Sequence, residues 1–273
     1  MKRRHFLTSS FAASALAAGA STRYLRAGQQ APTGSDAGKS REYYELRRYS
    51  LQNGPQRKLA DGYFQDALIP GLNRVGIKPV GVFSVDIGPE SPSLYVLMPS
   101  ASVETLATAD FRLERDAEYL KTGAPFLNAP AREPAYVRME SSLMLAFEGM
   151  PRLTVPPATA GRRPRMFELR TYESPSDQDH KRKVEMFNSG EFDVFEKAGF
   201  WQIFYGDTLI GPRMPNLTYM LGFPDLAERS RMWKAFGSAP EWKKLSSSPR
   251  YNFEEIVSSI TNVILSPASY SQI

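Results

Sequence analysis

Two stretches of this 273-residue chain read alike at a constant offset. Tyr44-Glu45-Leu46-Arg47-Arg48-Tyr49 returns as Phe167-Glu168-Leu169-Arg170-Thr171-Tyr172, an offset of 123 residues (167 − 44). The same shift pairs Phe64 with Phe187, Ile69 with Phe192, Leu72 with Phe195 and Gly76 with Gly199. Ile87-Gly88-Pro89 then meets Ile210-Gly211-Pro212, and Pro92-Ser93-Leu94 meets Pro215-Asn216-Leu217, without a gap. Solenoid units repeat every roughly 20–50 residues, so one long period describes a duplicated domain instead. With 42% of residues apolar, each copy has the material for a core of its own.

Within each copy the pattern changes in the same order. Tyr43 to Ser50 and Arg165 to Glu173 alternate as strands, and helical spacing follows from Pro55 to Gly76 and from Asp177 to Gly199, with Pro70 expected to kink the first of these. Pro79 to Ile87 with Leu94 to Met98, and Trp201 to Ile210 with Leu217 to Phe223, read as hairpins around Gly-Pro turns. A second helix spans Val103 to about Leu120, and its counterpart Leu226 to Leu245 breaks near Pro240; Tyr136 to Phe147 and Phe253 to Leu265 are the closing strands. This is β-α-β-β-α-β twice, the ferredoxin-like order in an α+β chain. One sheet face of each half is covered by its helices and the other needs a partner. The expectation is that the bare faces meet within one chain, as a pseudo-dimeric α+β barrel enclosing a space.

The domain plan is therefore a signal peptide at 1–20, a tether at 21–41, a first domain at 42–148, a linker at 149–164 and a second domain at 165–273. Lys2-Arg3-Arg4, the small apolar run from Phe6 to Ala17 and Ala18-Gly19-Ala20 have the order of a cleavable signal. The paired arginines followed by Phe6-Leu7 resemble a twin-arginine signal, which predicts a periplasmic or otherwise exported protein. The apolar run is short of the roughly 20 residues a membrane-spanning helix needs, so no span is expected after cleavage. The chain has no cysteine, which excludes disulfides, thiol catalysis and cysteine metal sites. Its formal charge of +5 falls to +2 once Lys2, Arg3 and Arg4 are removed, because residues 1–20 hold no acid. Acids and bases are interspersed in both copies, so no nucleic-acid partner is expected.

At these residues the chain resembles the NIPSNAP family. The family's Y-E-L-R-x-Y strand matches Tyr44 to Tyr49 and Phe167 to Tyr172, its G-I or G-F step matches Gly76-Ile77 and Gly199-Phe200, and its I-G strand end matches Ile87-Gly88 and Ile210-Gly211. Leu226-Ala227-Glu228-Arg229 and Pro240-Glu241-Trp242 resemble the family's arginine-bearing helix and its terminal D-P-E-W, with Ala239 in the place of the Asp. Tyr95-Val96-Leu97 and Thr218-Tyr219-Met220 stand where the family often has His-Leu-Trp. The resemblance implies a dimeric α+β barrel fold and carries over no catalytic residues. Related barrels include metal-free monooxygenases and muconolactone isomerases, and haem enzymes such as chlorite dismutases and dye-decolorising peroxidases.

Alternation across a strand puts Glu45, Arg47 and Tyr49 on one face and Glu168, Arg170 and Tyr172 on its counterpart. The expectation assigns these six to the barrel interior and sends Tyr44, Leu46, Phe167 and Leu169 to the helices. They are then either ligand-binding residues, with arginine forks for a carboxylate or enolate, or an ion-pair network that fixes register. His180 is the one histidine beyond the signal, and its polar neighbours place it on an exposed helix start rather than as a haem ligand. No haem, metal or nucleotide cofactor is expected. The aromatic run Phe187, Phe192, Phe195, Phe200, Trp201, Phe204 and Tyr205 reads as core, with a substrate pocket as the alternative. The functional expectation is binding, with or without cofactor-free turnover, of a small apolar or aromatic acid in the barrel. The alternatives are an interaction protein whose barrel is filled by its own side chains, and a haem enzyme. Catalysis, substrate and oligomeric state stay open at this stage.

Overall fold

The computed structural model describes residues 40–89 and 91–273. The expected signal at 1–20 and nearly all of the expected tether lie outside the described residues. The first half comprises β1 (Tyr43–Ser50), α1 (Pro55–Tyr63), a π-helical turn (Phe64–Leu68), α2 (Ile69–Arg74), β2 (Gly81–Ile87), β3 (Ser93–Ser100), α3 (Val103–Ala107), α4 (Ala109–Leu113), α5 (Ala117–Leu127) and β4 (Arg138–Ala146). The second comprises β5 (Met166–Glu173), α6 (Asp177–Met186), a second π turn (Phe187–Glu191), α7 (Phe192–Ala198), β6 (Trp201–Ile210), β7 (Asn216–Phe223), α8 (Leu226–Ser238), α9 (Pro240–Ser246), α10 (Phe253–Ile256) and β8 (Ser259–Pro267).

Local chemistry accounts for most boundaries. Pro55 starts α1 where its missing amide would lack a partner in any case. Asp116, Ser176 and Asp225 cap α5, α6 and α8 by accepting amide bonds from the first turn. Gly199 ends α7 in the left-handed region, at φ 92°. The kink expected at Pro70 takes the form of the π turn directly ahead of it, and the second copy bends at the same place around Gly190, at φ 143°. Two elements differ from expectation: the helix expected from Val103 to about Leu120 is divided into α3, α4 and α5 and runs on to Leu127, and Phe253–Ile256 is a helical turn, so that the last strand starts at Ser259. Among the described residues no helix is long and apolar enough to cross a membrane.

The eight strands close into one antiparallel barrel in the order β1-β3-β2-β8-β5-β7-β6-β4. The halves join edge to edge through two seams. Phe83 to Ile87 pair with Pro267 to Ile264, and Leu143 to Ala146 pair with Ile210 to Gly206, each seam carrying one bulge that turns the sheet. Closure leaves no sheet edge exposed.

Three apolar clusters follow from this closure. Tyr49, Val82, Leu94, Val96 and Met98 pack against the helices of the first half, and Tyr172, Tyr205, Leu217, Tyr219 and Leu221 against those of the second. The third fills the barrel from both halves: Tyr44, Phe83, Met144, Phe167, Phe204 and Met220, with Ile273 inserted from the C-terminus. Each such side chain contributes about 1.5–3 kcal/mol on burial. Packing here leaves room only for hydrogen at two positions: a Cβ on Gly81 would lie 2.5 Å from the Phe83 ring, and one on Gly206 2.8 Å from Met144.

The strand faces are therefore the reverse of the expectation. Tyr44, Leu46, Phe167 and Leu169 point into the barrel. Glu45, Arg47, Tyr49, Glu168, Arg170 and Tyr172 point to the helix layer. An eight-stranded barrel is just wide enough for side chains to fill, which suits the apolar face of each strand. The charged face finds its counter-ions on the helices, Asp110 in the first half and Arg229 in the second.

Candidate functional site

The barrel is plugged at one end and open at the other. Moving along each strand away from the aromatic plug, the interior side chains turn polar: Leu46 gives way to Arg48, Leu169 to Thr171, Val263 to Thr261 and Met220 to Thr218. Here lies a chamber of about 460 Å³ between the two halves. Leu46, Leu169, Val263 and Tyr95 form its apolar lining. The Thr171 and Thr218 hydroxyls face each other at 2.9 Å.

The duplication is broken at the mouth. Arg48 lies opposite Glu140 in the first half, whereas the matching cross-strand pair in the second is Thr171 with Thr261. Arg48 Nε donates to Glu140 Oε2 at 2.9 Å. Arg213 reaches in from the β6–β7 turn, donating to Thr261 Oγ1 at 3.1 Å and lying 3.5 Å from Glu173. Its backbone sits at φ 57°, a region that a side-chain-bearing residue occupies at a cost of about 1–2 kcal/mol. Asn216 offsets that cost: its Nδ2 donates to the carbonyls of Pro212 and Arg213 at 2.9 and 3.0 Å, and its Oδ1 accepts from Thr208 at 2.7 Å. The result is a chamber with an apolar floor, a cluster of hydroxyls and two guanidinium groups at the rim, a composition able to orient a small molecule with one acidic end.

The six residues expected as ligand contacts form two networks behind the barrel wall. In the first half Arg47 donates to Glu45 at 2.6 Å and, with both Nη atoms, to Asp110 of α4 at 3.0 Å, while Ser141 donates to Glu45 at 2.8 Å. Burial works to lower the Arg47 pKa, but Glu45, Tyr49 and Asp110 together outweigh it and the net shift is upward. In the second half Glu168 is fully buried and accepts from Arg170 (2.8 Å), Trp233 Nε1 (2.7 Å) and both Nε and Nη2 of Arg229 (2.9 and 2.6 Å). Burial works to raise the Glu168 pKa, yet the bond from Arg229 and the charge of Arg170 hold it below the ordinary value. Arg170 also donates to the Tyr172 hydroxyl at 3.0 Å and lies 4.5 Å from the Trp233 ring centre. The helix counter-ion changes sign between copies. Glu45, Arg47 and Asp110 sum to −1, and Glu168, Arg170 and Arg229 to +1.

His180 is a second correction. It is buried rather than exposed, because the first turn of α6 lies against β6, and its Nε2 meets Asp207 Oδ1 at 2.7 Å. Its Nδ1 finds no partner among the described residues. With Nε2 engaged, and the ring absent from the chamber lining, His180 does not fit the axial role of a haem enzyme. Phe187, Phe195 and Tyr205 are fully buried on the helix side and Phe204 in the barrel plug, so the aromatic run is core.

The NIPSNAP family model matches residues 44–148 and again 167–272. The chain belongs to the NIPSNAP family. Its two NIPSNAP domains coincide with the two halves of the barrel. No curated protein matches the chain. Among solved structures, a candidate monooxygenase from Fusobacterium nucleatum is similar with a TM-score of 0.58 at 7% identity, covering 84% of this chain and 93% of that one. A second, from Lactobacillus acidophilus, has a TM-score of 0.55 at 7% identity, over 83% and 94% of the two chains. A NIPSNAP-like domain protein from Burkholderia xenovorans is 23% identical over 39% of this chain and 88% of that one, with a TM-score of 0.35. At these identities the solved structures speak for the fold alone: one NIPSNAP chain here builds a barrel of the same architecture as the two candidate monooxygenases.

Arg48, Arg213 and the three threonines were not singled out from the sequence. The signal available was the repeat itself. Arg48 faces Thr171 and Tyr95 faces Thr218 at the 123-residue shift, so the copies differ where the chamber needs two unlike walls.

Proposed function

We propose that this NIPSNAP protein is exported and binds a small molecule with an apolar or aromatic body and an acidic group in the chamber at the barrel mouth. The observation that carries the reading is the convergence of Leu46, Leu169, Val263 and Tyr95 with the guanidinium groups of Arg48 and Arg213 around about 460 Å³. That volume is within the roughly 300–1,000 Å³ of small-molecule sites. The ligand's apolar body fills the floor, and its carboxylate accepts from Arg213 and the threonine hydroxyls. Glu45, Arg47, Tyr49, Glu168, Arg170 and Tyr172 support this site from behind by fixing the strands that form its wall. Binding is proposed ahead of turnover because no histidine lines the chamber among the described residues, and the carboxylate that does, Glu140, is engaged by Arg48. The plugged lower half of the barrel accounts for the filled-barrel alternative, and the open upper half favours a ligand.

A panel of aromatic and alicyclic carboxylic acids, titrated calorimetrically into the mature protein, tests this. Arg213→Gln should weaken the best binder by roughly tenfold, the scale of one charged hydrogen bond. Leu169→Trp should abolish binding by filling the floor while the protein still folds. Acids that bind equally well to both variants would overturn the reading.

Export rests on Arg3-Arg4 and Ala18-Gly19-Ala20. Arg3→Lys with Arg4→Lys should retain the protein in the cytoplasm, and unchanged export of that variant would remove the twin-arginine assignment.

A further inference from the structure

At the plugged end of the barrel, where β5 begins and β8 ends, the linker between the halves meets the tail that follows β8. A cleft of about 390 Å³ lies between them. Thr159, Arg162, Arg163 and Arg165 line it on the side leading into β5, and Ser269 and Ser271 on the side of the tail. Among the described residues no carboxylate lines the cleft. Asp86 stands outside the lining and accepts a hydrogen bond from Ser266 within it.

The three positive charges lack a counter-ion. None of these guanidinium groups forms an ion pair among the described residues. Arg165 is half-buried, and its Nη1 and Nη2 donate to the carbonyls of Arg163 (3.4 Å) and Ile273 (3.0 Å). Its Nε is shut from water without a partner, as is Thr159 Oγ1, and two such orphans in one cleft wall call for a missing ligand or ion. Burial and then the charge of Arg162 push the Arg165 pKa below its ordinary value, the direction expected where like charges gather uncompensated. The backbone holds the run in place: the amides of Arg162 and Arg163 donate to the carbonyls of Thr159 and Ala158 at 3.0 Å each, with Arg162 at φ 50°.

The first half is an internal control for whether the fold needs these charges. At the 123-residue shift Arg165 corresponds to Glu42, Ser266 to Leu143 and Ser269 to Ala146. There the carboxylate closes the corner itself: Glu42 Oε2 accepts from the Leu153 amide at 2.8 Å, and the Glu42 amide donates to the Pro151 carbonyl at 2.8 Å. The same architecture is therefore sealed by an acid in one half and left open, cationic and lined with hydroxyls in the other. A charge withdrawn from water without a partner is costly, so the counter-charge for Arg165 has to come from outside the chain.

We propose that this cleft binds the oxyanion group of a small, soluble phosphate or sulfate monoester, with Arg162 and Arg163 as its guanidinium forks and Arg165 as a fixed charge at its base. A guanidinium presents paired N–H groups that match two oxygens of such an anion, and three of them together suit a dianion better than a single carboxylate. Thr159 and Ser269 add hydroxyl donors. Pro164, Pro267 and Ala268 form the neutral wall against which the body of the ester lies, and no large apolar side chain lines the cleft to receive an acyl chain. The volume falls within the roughly 300–1,000 Å³ of small-molecule sites, which leaves room for a few carbons beyond the oxyanion. The site is separate from the chamber, which takes Thr171 and Thr261 from the opposite ends of the same two strands.

Calorimetric titration of the mature protein with sodium phosphate, sodium sulfate, glycerol 3-phosphate and sodium acetate, at constant ionic strength, tests this. Glycerol 3-phosphate should bind saturably with Kd below about 1 mM and roughly tenfold or more tighter than acetate. Arg162→Gln with Arg163→Gln changes two exposed side chains, so it should keep the wild-type urea midpoint while weakening that binding by roughly a hundredfold, the scale of two charged hydrogen bonds. Arg165→Gln should weaken it by roughly tenfold. Should that variant fail to fold for want of its tie to Ile273, the double variant decides the matter. Wild-type protein that binds none of phosphate, sulfate and glycerol 3-phosphate saturably, or binding that the double variant retains, would overturn the proposal. Sedimentation with phosphatidic acid vesicles in the absence of any binding to free glycerol 3-phosphate would overturn it too, by assigning the arginines to a lipid surface.

Discussion

Arg170→Gln is expected to destabilise the protein by about 3 kcal/mol, the lower end of the scale for breaking a buried ion pair. The change removes the bond to Glu168 (2.8 Å) and the two bonds to the Tyr172 hydroxyl, leaving a fully buried carboxylate with less compensating charge. Arg47→Gln is expected to cost roughly 1–2 kcal/mol, because Asp110 keeps more than half of its side chain in water and solvent screens what is lost. Urea unfolding of both variants checks this, with the midpoint shifted and the slope unchanged. Equal losses, or a larger one at Arg47, would contradict the structural reading of the two networks. The pH dependence carries the same signature. Glu168 has a folded pKa below its ordinary 4.5, so the stability it contributes is present above that value and is lost as pH falls through the folded one. Wild type should therefore lose part of its stability below about pH 4.5 that Glu168→Gln lacks at every pH.

The halves are expected to fail as independent monomers. Residues 42–148 would expose the edges of β2 and β4, and residues 165–273 those of β6 and β8, because these four edges meet only at the seams. Each would also uncover its share of the barrel plug, Tyr44, Phe83 and Met144 in one case and Phe167, Phe204 and Met220 in the other. Such surfaces exceed the few hundred Å² of contiguous apolar area that monomers tolerate, and open edges recruit further strands. Expressed separately, the halves should aggregate, close a barrel with a second copy of themselves, or bind each other when mixed. Sedimentation of two well-behaved monomers with no mutual affinity would contradict the intrachain barrel.

The legible and illegible parts of this chain separate along physical lines. The order of elements was readable because periodicity and punctuation are local: Gly76 and Gly199 end helices, and the Gly-Pro turns close hairpins in both copies. The pairing of two halves followed from repetition. The direction of each strand face did not, because Tyr44-Glu45-Leu46-Arg47 alternates equally well in either sense. What decides it is non-local: the barrel interior has room for Phe83, Phe167 and Phe204, and only the helices offer Asp110, Arg229 and Trp233 as partners for the charged face. His180 was misplaced for a similar reason, since its partner Asp207 lies 27 residues away on β6. The chamber was marked in the sequence by places where the copies disagree: Arg48 against Thr171 and Tyr95 against Thr218. Matching positions describe the shared fold, and the mismatches describe what each half does with it.

The most direct measurement of the chamber assignment is methyl NMR of the mature protein titrated with the tightest acid of the panel. The methyl groups of Leu46, Leu169 and Val263 line the chamber, whereas those of Leu217 and Leu221 lie behind the wall against the helices. Binding in the chamber predicts saturable shifts confined to the first three, lost in Leu169→Trp. Saturable shifts at Leu217 and Leu221 with Leu46 and Val263 unmoved would place the ligand among the helices and contradict the account.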